Sequence, residues 1–228
     1  MFVPLHDTNP LEHVARPYAT WGLIAFNLFV FAVLQGAGTG VVNEAGLLSY
    51  GTIPAVITGA AVLPEGYERL PPAFTLLTYM FLHAGWMHLI GNMAFLWVFG
   101  DNVEDALGHA RFLVFYLLCG VAAGTAHILV EPGSQLPLVG ASGAVSGVIA
   151  AYLVLHPNIR LWALVFMKIP LRVPAFWIIS LWLALQIYQI LTAGEEGTAW
   201  WAHLGGFCAG AALVVVMRRR GVVLFDRD

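Results

Sequence analysis

The sequence predicts an all-α membrane protein: a bundle of six transmembrane helices with one long membrane-associated loop between the first and second. Three observations predict it. Of the 228 residues, 60% are hydrophobic and only 10% are charged, against about 25% charged and at most about half apolar in a soluble domain. Six stretches approach or exceed the roughly 17 to 20 apolar residues that carry a helix across about 30 Å of hydrocarbon. These runs are continuously apolar and not alternating, which fits helices and excludes barrel strands.

The elements follow in order. Residues 1–19 form a short cytoplasmic segment that carries acids as well as Arg16. No small-residue cleavage site follows the first apolar run, 20–35, which therefore reads as an anchor and not as a removed signal peptide. The only long connection, 36–79, contains Gly51, Pro54, Gly59, Pro64, Gly66, Pro71 and Pro72 among apolar residues. It is too apolar for a disordered linker, and residues 53–63 read as a piece that rests on or dips into the membrane face. The remaining spans fall at about 80–100, 111–130, 139–155, 173–191 and 199–217. Residues 20–217 thus form one helical domain, and 218–228 form a basic cytoplasmic tail.

Charge placement orients the bundle. Six crossings put both termini on one side, and on that side fall Arg16, Arg111, Arg160, Lys168, Arg172, Arg218, Arg219, Arg220 and Arg227. Of the ten basic residues only Arg69 is left for the other side. By the positive-inside rule both termini are cytoplasmic and loops 36–79, 131–138 and 192–198 face outward, as in a multi-pass protein of the cell membrane. The basic residues form no stripe interleaved with aromatics, so nucleic acid is not an expected partner. Cys119 and Cys208 lie in apolar runs with no ligand partner nearby, no H-E-x-x-H occurs, and no metal or cofactor is expected.

Polar groups inside a membrane helix cost several kcal/mol, so each needs a reason. His88, Asn92, His127, Ser142, Ser146 and His203 stand near the outward ends of their segments. Ser142 follows a loop containing Pro132, Gly133 and Pro137 and opens a helix, where free N–H groups and the helix dipole favour an oxyanion. Taken alone it is equally an N-cap or packing residue. His203 sits beside Gly206 and Gly210, a small-xxx-small face that matches Ser142, Ser146 and Ala150 of the fourth segment, flanked by Gly143, Gly147 and Ala151. Packed together, these faces bring a base to the serine. His88 and Asn92, spaced i, i+4, present an imidazole and an amide on one helix face, either as oxyanion donors or as interhelical glue. No acid lies in a helix at the depth of His203, so a Ser–His dyad is expected, without a triad carboxylate.

The motifs His88-x-x-x-Asn92, Gly100-x-x-x-Glu104-x-x-x-Gly108, Gly140-Ala141-Ser142-Gly143 and Ala202-His203-x-x-Gly206-x-x-x-Gly210, in this order, resemble the rhomboid family of intramembrane serine proteases. The resemblance runs from about Leu76 to Gly210 and implies a minimal six-helix prokaryotic rhomboid-like bundle. It implies that Ser142 is the nucleophile and His203 the base. His88, Asn92 and the Ser142 backbone N–H would form the oxyanion hole, and Glu104 would be structural. Substrates would be transmembrane segments of membrane proteins entering laterally from the lipid near the fifth helix, with loops 36–79 and 192–198 as membrane-resting loop and cap. Two positions depart from the family pattern. Ser146 stands where members often carry an aromatic that stacks on the base, and Glu68-Arg69 replaces a Trp-Arg pair. A rhomboid-like protein that binds helices without cutting them is the alternative, and a transporter is a third reading weakened by the absence of internal repeats.

Overall fold

A computed structural model of the chain describes residues 2–38, 40–165, 168–192 and 199–225. The expected cap at 192–198 falls almost entirely outside the described residues, as do Glu195, Glu196, Asp226, Arg227 and Asp228.

The chain opens with strand β1 (Phe2–His6) and enters α1 (Tyr18–Phe29), which continues through a wide turn over Val30–Leu34. The long connection holds α2 (Gly40–Tyr50), α3 (Pro54–Ile57) and α4 (Thr75–Thr78). Then come α5 (Trp86–Leu107), α6 (His109–Val130) and α7 (Ser142–Leu155), followed by the hairpin β2 (Arg160–Val165) and β3 (Ile169–Pro174). Helices α8 (Ala175–Thr192) and α9 (Trp200–Met217) complete the fold. A helix therefore lies over each of the six predicted apolar segments. Helices α6, α8 and α9 are long and apolar enough to cross a membrane, and α5 joins them when counted with Pro72–Phe81, from which it is bent by 80°. The apolar stretches Tyr18–Leu34 and Ser142–Leu155 are shorter. Exposed Leu113, Val114 and Leu117 on α6 and Trp177, Leu181 and Leu185 on α8 give the bundle an apolar exterior, as lipid requires of a helix that is hydrophobic all round.

The all-α expectation needs one correction. The three strands form an antiparallel sheet in the order β1-β2-β3, with Val3 opposite Leu164 and Leu161 opposite Val173. The physical reason lies in the alternation of β2, whose Leu161 and Ala163 are fully buried while Arg160 is exposed, a period of two that suits a half-buried strand and not a helix.

Two of the three acids of α5, Glu104 and Asp105, anchor the N-terminal segment. Glu104 is fully buried and accepts from Ala19 N (2.9 Å), Thr20 N (2.7 Å) and Thr20 Oγ1 (2.7 Å), and it also meets the His109 ring. It thus caps the otherwise unsatisfied first turn of α1 and faces the positive end of its dipole. Asp105 gathers the N–H groups of Glu12, His13 and Val14 at 3.1, 2.7 and 2.6 Å. Gly100 lets α1 approach, since a side chain there would meet Thr20. Gly108, with φ of 86°, turns α5 directly into α6, a left-handed conformation that favours glycine.

At the centre, α7 is buried along nearly its whole length. A side chain at Gly206 would run into the Gly143 carbonyl, and one at Gly210 into the backbone of Gly147. The glycine faces of α7 and α9 therefore pack backbone to backbone, the small-residue mode of association in lipid. The long connection is tied to the loop ahead of α7 by paired hydrogen bonds between Thr52 and Leu138 (3.0 and 2.7 Å) and by Ala55 N donating to Ser134 O (2.9 Å).

Candidate active site

Ser142 is the first residue of α7. The chain reaches it through Gly140, whose φ is 121° and whose N–H donates to Tyr79 O at 2.9 Å. A side chain at Gly140 would collide with the His88 imidazole and come close to Asn92 Nδ2. The glycine is needed both for the left-handed backbone and for the close approach of these two side chains. At 14 residues α7 is about 21 Å long, short of the roughly 30 Å of hydrocarbon, so a serine at its N-terminal end can stand below the membrane surface.

Close packing of α7 and α9 brings His203 to the serine. Ser142 Oγ lies 2.8 Å from His203 Nε2. On the far side of the ring His203 Nδ1 donates to Gln186 Oε1 of α8, also at 2.8 Å. The imidazole is flanked by Trp182, with ring centroids 6.4 Å apart and planes 31° apart, and by Trp200 at 5.7 Å, edge on. Ser146, the residue that replaces the family's aromatic, donates back to Ser142 O at 2.7 Å. The aromatic contact comes from α8 and from the start of α9 instead.

His88 and Asn92 share the face of α5 that meets Gly140. Ala84 N donates to His88 Nδ1 at 3.5 Å, which leaves the ring proton on Nε2. Asn92 is buried, and its Nδ2 has no hydrogen-bond partner among the described residues. An unpaired buried amide donor is costly and uncommon. Both groups open, with Ser142 and His203, into a cavity of about 1060 Å³. His127 lines the same cavity from α6, but the histidine bonded to Ser142 is His203. His83 is fully buried behind His88, with ring centroids 5.2 Å apart. Among the described residues no group of three or more His, Cys, Asp or Glu is arranged to hold a metal ion.

The arrangement places a hydroxyl, an imidazole bonded to it and the His88 and Asn92 side chains around one backbone position, in a recess at a helix N-terminus. Sequence reasoning passed over Gln186 and Trp182. The signal was present as Trp182-x-x-x-Gln186, one amide and one aromatic a turn apart in a segment that is otherwise almost wholly apolar.

A family model described as "Rhomboid domain" matches residues 72–220, well over half the chain and including every residue of this site. The chain belongs to the rhomboid family. The rhomboid protease GluP of Bacillus subtilis is 30% identical over 198 residues, covering 87% of this chain and 35% of GluP. The chloroplastic rhomboid-like protein 11 of Arabidopsis thaliana is 40% identical over 84 residues, 37% of this chain and 30% of that protein. The putative rhomboid protease YdcA of Bacillus subtilis is 32% identical over 140 residues, 60% of this chain and 64% of YdcA. The chain thus spans only about a third of the length of the first two of these rhomboid relatives.

Proposed function

We propose that the protein is an intramembrane serine endopeptidase that cleaves transmembrane segments of other membrane proteins by a Ser142–His203 dyad. The observation that carries this reading is the 2.8 Å contact between Ser142 Oγ and His203 Nε2 at the head of the short, buried helix α7. It is supported by membership of a family whose relatives are named as proteases.

In this mechanism Ser142 Oγ attacks the scissile carbonyl carbon and its proton passes to His203 Nε2. The oxyanion accepts from Asn92 Nδ2, His88 Nε2–H and the Ser142 N–H, donors fixed in place before reaction. Collapse breaks the C–N bond, and His203 protonates the leaving amine. Water then attacks the acyl carbon, giving its proton to His203; the ester C–Oγ bond breaks, and His203 returns the proton to Ser142 Oγ. The cavity admits that water within a membrane domain.

The six apolar segments are six crossings of the cell membrane. Both termini are cytoplasmic, with the three-stranded sheet on that side and the cavity opening outward. Substrate helices enter from the surrounding lipid beside α8. Incubation of the purified protein with a single-span model substrate tests this reading: cleavage lost in Ser142→Ala supports it, and cleavage that persists in Ser142→Ala overturns it.

A further inference from the structure

We infer that Gln186 is a positioning residue for the base, a neutral third member that fixes the tautomer and orientation of His203. This rests on the reading of Ser142 and His203 as the catalytic pair and extends it.

To accept the serine proton, His203 Nε2 must be unprotonated, which places the single ring proton of the neutral imidazole on Nδ1. That proton needs an acceptor, because a buried N–H left unpaired costs more than one bonded hydrogen is worth. Gln186 Oε1 stands 2.8 Å from Nδ1. Gln186 is itself buried, although α8 is for the most part exposed to the bundle exterior. It is therefore an amide turned inward from a lipid-facing helix, and its carbonyl oxygen accepts from the ring. The other groups packed on His203 are Ser142 of α7, Trp182 of α8 and Trp200 of its own helix α9, with His88 of α5 also within electrostatic reach. None of these offers Nδ1–H a carboxylate.

In a Ser–His–Asp triad the acid holds the imidazole in the reactive tautomer and stabilises the imidazolium. An amide oxygen does the first of these and only partly the second, without placing an ionised group in a low-dielectric interior. Because the acceptor and the flanking Trp182 both belong to α8, the base is held in register only while α8 is seated against α9.

Two measurements test the assignment. In the first, the rate at which a small fluorophosphonate labels Ser142 is measured in detergent, a reaction that needs no substrate entry. The wild type must label and Ser142→Ala must not; failure here would overturn the dyad itself and not the role of Gln186. Given that, Gln186→Leu and Gln186→Met, which keep bulk and remove the acceptor, should label about tenfold more slowly, the value of one hydrogen bond expressed in the transition state. Gln186→Glu, which restores an acceptor, should recover to within about threefold of the wild type. Wild-type rates in the Leu and Met variants, or a Glu variant as slow as Leu, would overturn the assignment. The second measurement reads the tautomer in the wild type, with His203→Gln serving only to assign the signals. In the ¹⁵N spectrum of the labelled protein, the imidazole signals absent from His203→Gln should show protonated Nδ1 and unprotonated Nε2. The opposite tautomer would overturn the proposal.

Discussion

Removing the Asn92 amide separates the function of this residue from its contribution to folding. In the resting protein Asn92 is buried and its Nδ2 has no partner among the described residues, so the fold carries an unpaired donor costing about 1–3 kcal/mol. Asn92→Ala discards that cost. It also discards the packing of a small side chain at the edge of the cavity, which is worth about 1 kcal/mol in the other direction. The two roughly cancel, and the thermal midpoint in detergent should move by no more than a few degrees. The transition state has no such compensation. Loss of one oxyanion donor costs about 2.7 kcal/mol, or about 10²-fold in rate. The assay is single-turnover cleavage of a single-span substrate, which reads the chemical step, alongside labelling of Ser142 by a small phosphonate, which should persist more slowly. Cleavage at the wild-type rate would refute the reasoning and return Asn92 to a packing amide. A 10²-fold loss accompanied by an equal loss of folded protein would refute it as well.

Three further outcomes follow from other parts of the fold. Gly206→Ala drives a methyl group into the Gly143 carbonyl, whereas Gly91 has open space around it; the first substitution should cost about 1–3 kcal/mol and slow Ser142 labelling as α7 and α9 separate, and Gly91→Ala should do neither. Burial holds the Asp7 carboxyl above its ordinary value of 3.8, against the opposing bond from Tyr152 OH at 2.6 Å. A raised carboxyl contributes stability that is full below 3.8 and is lost as pH rises through its native value, so Asp7→Asn should unfold at higher temperature than the wild type at pH near 7, the gap closing on acidification; a gap independent of pH would contradict this. With Cys119 and Cys208 replaced, a cysteine at Gly221 should be reached by reagent only from the cytoplasm and one at Gly197 only from outside, and labelling of both from one side would undo the orientation.

The apolar runs were legible because composition alone forces them: a stretch of some 20 apolar residues has few options other than a buried or membrane helix. The ends were less so. The fourth segment, drawn from 139, becomes helical only at Ser142, because Gly140 adopts a left-handed turn that apolarity does not reveal. Helix α2 lies in a stretch read as loop, where the neighbouring glycines and prolines obscured its pattern. The sheet was missed because β1 is five residues long and contains Pro4, and its partner β2 lies more than 150 residues away in sequence, a pairing that local pattern does not signal.

Within the site, Ser142, His203, His88 and Asn92 were legible as polar groups in expensive places, and the glycine faces indicated which helices would meet. Gln186 is not legible in the sequence as a third member, because such a member is ordinarily marked by a carboxylate and here a neutral amide answers the same geometric need. Ser146 drew attention as a missing aromatic, yet the aromatic contact with His203 comes from Trp182 on a different helix. Which helix supplies a given neighbour is a property of packing and is not contained in any one segment. The resemblance implied a structural role for Glu104, and its bonds to Ala19 and Thr20 give that role its content.

The central claim is that Ser142 is a nucleophile activated by His203, and the most direct measurement is covalent labelling by a fluorophosphonate with the modified residue located by mass spectrometry. The account predicts a single adduct on Ser142, lost in Ser142→Ala and nearly abolished in His203→Ala, with folded protein recovered at normal levels and with His127→Ala labelled like the wild type. An adduct on any other residue, or full labelling in His203→Ala, would contradict it.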